Sequence, residues 1–241
     1  MTSHPSDLQA CLTRITEIGK TRREAKGLLC TGNSALNHML GGGLERGRVT
    51  QLYGPSGSGK SGTVGQILGH VADLALGTCV FIDADHTAES AAAFYGPLAD
   101  LQENALIHEP VTAAEAASVA EALTGCADLV VVDSLGAFHR DDDDGEAPGR
   151  LVRRLAEKAE RSGAVVIVTN QVRVDIRRGG QKKAYGDGLV KYHSSKVIRL
   201  ESSPLRSKGV RVGLTIAAVL EKSHHGPLNG SQASWDLEYL K

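Results

Sequence analysis

The run Gly54-Pro55-Ser56-Gly57-Ser58-Gly59-Lys60-Ser61-Gly62 constrains this chain more than any other stretch. It follows a short apolar run at residues 49–53 that predicts a strand, and it opens a segment at 60–76 that predicts a helix. In that context the glycines let backbone amides turn inward around phosphate oxygens, and the helix amino terminus adds its positive dipole. Lys60 supplies a compact cation and Ser61 a hydroxyl for magnesium. A glycine-rich turn without a ligand would need neither the lysine, nor the hydroxyl, nor both flanking elements. The expected ligand is therefore a nucleoside triphosphate with Mg2+.

The rest of the chain alternates strand-like and helix-like segments. Residues 79–82, 129–132 and 164–169 are solidly apolar and bounded by polar turns, as expected for strands buried on both faces, while 113–123 and 149–162 carry helical spacing. This order predicts an α/β fold: a mainly parallel twisted sheet covered by helices on both faces. After Gln171 the pattern changes. Residues 173–188 hold five basic residues and four glycines without apolar periodicity, which predicts a loop. Short runs at 196–200, 210–220 and 233–239, separated by Gly, Pro and Asn turns, predict an antiparallel β extension at the C-terminal end.

In a parallel sheet ligands collect at the carboxyl ends of the strands. Three predicted strands end in polar groups there. Asp133 follows Leu129-Val130-Val131-Val132 and either anchors magnesium or caps the following turn. Asp83-Ala84-Asp85 follows the strand 79–82 and offers a carboxylate to orient an attacking water, or two turn residues. Asn170-Gln171 delivers neutral amides that can hydrogen-bond a terminal phosphate.

Bulk properties narrow the partners. The 241 residues suffice for one sizeable α/β domain, and a net charge of −1 gives no global attraction to nucleic acid, so any such contact is local. Cys11, Cys30, Cys79 and Cys126 form no paired spacing, which argues against a zinc site or a disulfide framework. No apolar run approaches the roughly 20 residues of a membrane-spanning helix, and residues 1–7 lack the apolar part of a secretory signal. A cytoplasmic protein is expected. Leu8, Leu12, Ile15 and Ile18 lie at helical spacing, which predicts an amphipathic N-terminal helix that folds onto its own core or docks on an adjacent subunit.

Taken in order, these motifs resemble the RecA/RadA/RadB family of recombinase ATPases. The resemblance runs from Thr31-Gly32-Asn33-Ser34-Ala35-Leu36-Asn37 and Gly41-Gly42-Gly43-Leu44 through the phosphate loop and Phe81-Ile82-Asp83-Ala84-Asp85-His86. It continues through Val131-Val132-Asp133-Ser134, Thr169-Asn170-Gln171-Val172-Arg173 and Gly188-Leu189-Val190-Lys191-Tyr192. It implies a RecA-like ATPase core at 31–241, preceded by an N-terminal helical segment at 1–30 that serves oligomerisation. By this resemblance Gln171 couples nucleotide state to a DNA-binding loop, Asp85 takes the catalytic base position, and Glu89 and Tyr95 match residues that contact adenine. Lys222 falls near a turn where the family places cations that reach a neighbour's nucleotide. The family usually has glutamate where Asp85 stands, and the shorter side chain implies slow hydrolysis.

The basic segment supplies the local charge that DNA binding requires. Arg173, Arg177, Arg178, Lys182 and Lys183, with glycines and Tyr185, suit a segment that neutralises phosphates and stacks a base. A merely solvated basic loop is the alternative. The tract Asp141, Asp142, Asp143 and Asp144 opposes DNA, because four adjacent carboxylates repel a phosphate backbone. Two readings follow. The first is a DNA-dependent ATPase of recombination or repair that self-associates, as a filament or ring, on single-stranded DNA. The second is a regulatory ATP-binding module, like the clock ATPase KaiC or an accessory subunit of repair, that controls a recombinase or repair-protein partner with little hydrolysis.

Overall fold

The computed structural model describes residues 27–73, 77–86, 105–140, 146–175, 181–184 and 187–239. The expected helix within residues 1–30 lies, up to residue 26, outside the described residues, as do Glu89, Tyr95, the tract 141–144, Arg177, Arg178 and Tyr185.

The central strands are β3 (Val49–Gly54), β4 (Cys79–Asp83), β5 (Ala105–His108), β6 (Leu129–Asp133) and β7 (Val165–Asp175). They are followed by β8 (Gln181–Ala184), β9 (Lys196–Ser207), β10 (Val210–Ser223) and β11 (Gln232–Glu238). The sheet runs β11-β10-β9-β3-β7-β6-β4-β5, with β8 paired to β7 off that path. Pairings from β9 through β3, β7, β6 and β4 to β5 are all parallel, whereas β9–β10, β10–β11 and β7–β8 are antiparallel. A mainly parallel sheet with an antiparallel C-terminal extension was the expectation. Two further short strands, β1 (Leu28–Leu29) and β2 (Leu44–Glu45), pair antiparallel beside it.

Strand period two divides each apolar run between two cores. Leu129 and Val131 join Leu52, Phe81 and Ile167 in a core closed by α1 (Ser34–Leu40) and α2 (Lys60–Asp73). Val130 and Val132 join Val80, Ile82 and Val168 against α3 (Ala113–Thr124), α4 (Gly136–Arg140) and α5 (Ala147–Ser162) on the other face. Helix ends follow local chemistry: Asn33 caps α1 by accepting from Leu36 N at 3.0 Å, and Thr112 caps α3 by accepting from Glu115 N at 3.1 Å.

Residues 173–188 differ from the expected loop. β7 continues to Asp175 and pairs back on β8, after which α6 (Asp187–His193) leads into β9. A hairpin is built by backbone pairing, which needs no buried face and so leaves no hydrophobic alternation to read.

The amino end of β9 is fixed by an unusual buried cation. Lys196 is 1% exposed, its ammonium pairs with Glu45 of β2, and it also donates to the His225 carbonyl at 3.4 Å. Removing one member of such a pair strands the other charge. Lys196→Met should therefore lower unfolding free energy by roughly 3 kcal/mol, the low end for a buried pair because Glu45 keeps some water access. Urea denaturation checks this, and the double variant Lys196→Met/Glu45→Leu should recover most of the loss.

Candidate active site

Four parallel strands end at one rim and set the site. The chain leaves β3 at Gly54 directly into the phosphate loop and re-enters regular structure at Lys60, the first residue of α2. A side chain at Gly54 would lie 2.3 Å from the Leu200 carbonyl oxygen, and one at Gly59 would lie 2.2 Å from Ile216 Cδ1. Gly59 also has φ of +84°, a left-handed conformation that disfavours any other residue. Glycine is required at both positions, the first by the close approach of β9 and the second by its backbone and by β10.

Within the loop, Lys60 is 7% exposed, and its ammonium donates to the carbonyls of Gly54 at 3.1 Å and Pro55 at 2.8 Å. Burial pulls its pKa down, while the Asp133 and Asp85 carboxylates push it back up. At the loop apex the Gly57 carbonyl accepts a hydrogen bond from Ser202 Oγ of β9 at 2.7 Å.

The carboxylates converge from the neighbouring strands. Asp83 of β4 is in register with Asp133 of β6, and both are buried, at 0% and 3% exposure. Thr169 of β7 donates to Asp133 Oδ1, and Asp133 Oδ2 is buried without a well-formed partner although the Ser61 hydroxyl lies beside the carboxylate. Burial drives the Asp133 carboxyl above the usual carboxylate range; the Ser61 and Thr169 hydroxyls oppose the shift, and Asp83 and Asp85 add to it. Asp85 follows in the turn after β4, where Ser134 Oγ donates to its Oδ2. Gln171 of β7 stands in register with Gly54, beside the first residue of the phosphate loop.

This donor set fits a divalent cation that is shared with phosphates. Magnesium favours one or two carboxylates, a hydroxyl and substrate oxygens over an all-protein cage. Among the described residues no cluster of three His, Cys, Asp or Glu side chains is arranged as such a cage. The buried, partnerless Asp133 Oδ2 with the Ser61 hydroxyl beside it is what a shared ion would need.

Residues 9–208 match the sequence model of the RecA N-terminal domain. The chain belongs to the RecA family. Protein RecA of Bordetella petrii is 32% identical over 235 residues, covering 88% of this chain and 63% of the relative. Protein RecA of Symbiobacterium thermophilum is 32% identical over 229 residues, covering 87% and 64%. This RecA-family chain thus spans less than two thirds of the length of these relatives. A crystal structure of the RadB recombinase superposes with a TM-score of 0.68 at 25% identity, covering 87% of this chain and 96% of that one.

The fold of this RecA-family protein brings Lys60, Ser61, Asp85, Asp133 and Gln171 to one rim. Lys222 is not among them. It lies on β10 opposite Val197, toward the amino ends of the parallel strands, and its ammonium donates to the carbonyls of Lys191, Tyr192 (3.0 Å) and Ser194 (2.8 Å) at the end of α6. It acts there as a side-chain cap on helix carbonyls, and burial followed by the nearby Lys191 lowers its pKa. Arg173 falls on β7 in register with Lys183 of β8, and Lys182 pairs with Val174, so three of the five basic residues sit on the hairpin. Sequence reasoning assigned no role to Thr169 or Ser134, which hold the two carboxylates. A hydroxyl residue beside each strand-end motif was the available signal. Among the described residues no helix is long and apolar enough to cross a membrane.

The raised pKa of Asp133 has a stability consequence. Its protonated form is favoured by folding, so that contribution is present in acid and lost as pH rises through the raised pKa. Asp133→Asn keeps the shape and the acceptor for Thr169 but never ionises. In magnesium-free buffer its thermal midpoint should exceed that of the unmodified protein at neutral pH, with the gap closing toward acid. A variant less stable than the original at neutral pH would contradict this account.

Proposed function

We propose that this RecA-family protein binds magnesium–ATP at the β3–α2 loop and hydrolyses it slowly, as a DNA-dependent ATPase of homologous recombination or repair that binds single-stranded DNA. The observation that carries the reading is the convergence of Lys60, Ser61, Asp133, Asp85 and Gln171 at the carboxyl ends of adjacent strands.

In this reading the loop amides and the amino end of α2 orient the triphosphate, and Lys60 turns from the Gly54 and Pro55 carbonyls to the outer phosphates. The Ser61 hydroxyl and Asp133 would hold magnesium, which would supply charge neutralisation at the phosphates. Thr169 fixes Asp133 through Oδ1, and Oδ2 accepts no hydrogen bond. Asp85, held by the Ser134 hydroxyl, orients a water. Gln171 meets the terminal phosphate and passes its presence along β7 into the β7–β8 hairpin, where Arg173, Lys182 and Lys183, with Arg177 and Arg178 between the strands, neutralise DNA phosphates. Glu89 and Tyr95 contact adenine, the segment 1–30 mediates self-association into a filament or ring, and Lys222 serves a neighbouring subunit's nucleotide only after leaving the α6 carbonyls.

The short base supports slow turnover, since a misplacement on the order of 1 Å costs about 100-fold in rate. The same observation favours a second reading, a regulatory ATP-binding module that controls a repair-protein partner. ATP turnover with and without single-stranded DNA separates them. The first reading expects stimulation by DNA, a rise of about 10- to 100-fold in kcat for Asp85→Glu, and no magnesium–ATP uptake by Lys60→Ala in calorimetry. Arg177→Glu with Arg178→Glu should abolish salt-sensitive DNA binding and leave nucleotide uptake intact. Absence of DNA stimulation together with absence of DNA binding would leave the second reading.

A further inference from the structure

We infer that Ser202, on the strand flanking the phosphate loop, is a positioning residue for nucleotide phosphate binding. The inference rests on the nucleotide reading proposed above and adds to it a residue 145 positions away in sequence from the loop it serves.

The loop apex is the least supported part of the cradle. Gly57 has φ of +75°, and a side chain placed there would meet nothing within 4 Å. Gly54 and Gly59, by contrast, are hemmed in by β9 and β10. With nothing packed at Gly57, the peptide plane that follows it is held by hydrogen bonds and not by side-chain contacts. Turning that plane would break the bond from Ser58 N to the Pro55 carbonyl and redirect the Gly57 carbonyl, and a carbonyl oxygen turned toward phosphate repels it.

Ser202 opposes that rotation. It lies on β9 opposite Ile216 of β10, the residue that packs on Gly59, so its side chain is on the sheet face that walls the loop. Its Oγ donates to the Gly57 carbonyl at 2.7 Å and so ties that oxygen to β9. Ser58 N donates to the Pro55 carbonyl at 3.2 Å and closes the turn from inside. Ser203, the next residue, is opposite Thr215 and faces the other side of the hairpin. The effect is confined to binding: an anchored carbonyl preorganises the cradle equally for substrate and transition state, so it acts on KM and leaves kcat alone.

The test uses the full chain and magnesium with a fluorescent N-methylanthraniloyl ATP, followed by steady-state ATP turnover. One net hydrogen bond predicts that Ser202→Ala weakens nucleotide binding and raises KM by about fivefold, with kcat retained. Ser202→Thr keeps the hydroxyl on a residue suited to a strand and should bind as the original does. Ser203→Ala serves as the control on the opposite face and should change nothing. Unchanged binding by Ser202→Ala overturns the inference while the nucleotide reading stands. Equal losses in Ser202→Ala and Ser202→Thr overturn it too, because strand shape and not the hydroxyl would then be responsible. If the original protein takes up no nucleotide, the reading beneath it fails as well. A Ser202→Ala loss restored by threonine, at matched thermal midpoints, supports it.

Discussion

A carboxylate buried at the end of four aliphatic residues organises the centre of this molecule. Asp133 closes β6, a strand flanked by β4 and β7 and covered on both faces, so its charge cannot reach bulk water. Such a group is tolerated only with polar partners. Thr169 and Ser61 answer it from β7 and α2, and Asp83 and Asp85 crowd it from β4. Lys60, held under the loop carbonyls, is likewise costly to bury and is steadied by Asp133 and Asp85. Two opposite charges, each unfavourable alone, give the rim a polarity suited to a phosphate–metal pair.

Much of this was legible in the sequence because strand and helix periods are local. The runs at 129–132 and 164–169 read as buried strands; β6 contains the first, and β7 takes up the second from Val165 onward. The phosphate loop read clearly because its spacing and its flanking elements are contiguous. The β7–β8 pairing did not, because backbone pairing leaves no trace in a pattern of side chains. Ser202 was invisible for another reason. Its contact with Gly57 depends on β9 lying beside β3, a long-range pairing that no local period encodes. Lys222 shows the converse, a residue singled out by its place near a turn whose ammonium is engaged by carbonyls at the end of α6.

Membership of the RecA family is carried by the match over residues 9–208 and agrees with the strand order and the likeness to RadB. The chain covers 63% of the Bordetella petrii protein and 64% of the Symbiobacterium thermophilum one, so the match concerns part of each relative and not its whole length.

The pairing of Gly54 with Gln171 has a mechanical consequence. β7 is held in parallel register by β3 from Val166 to Gln171 and by β6 from Val165 to Val168, so it cannot slide along its axis without breaking both ladders at once. A shift of even one residue would also turn its buried side chains to the wrong face. Gln171 is the last residue of β7 paired to β3, and from Val172 onward its described pairing passes to β8, so the strand changes partners at the rim itself.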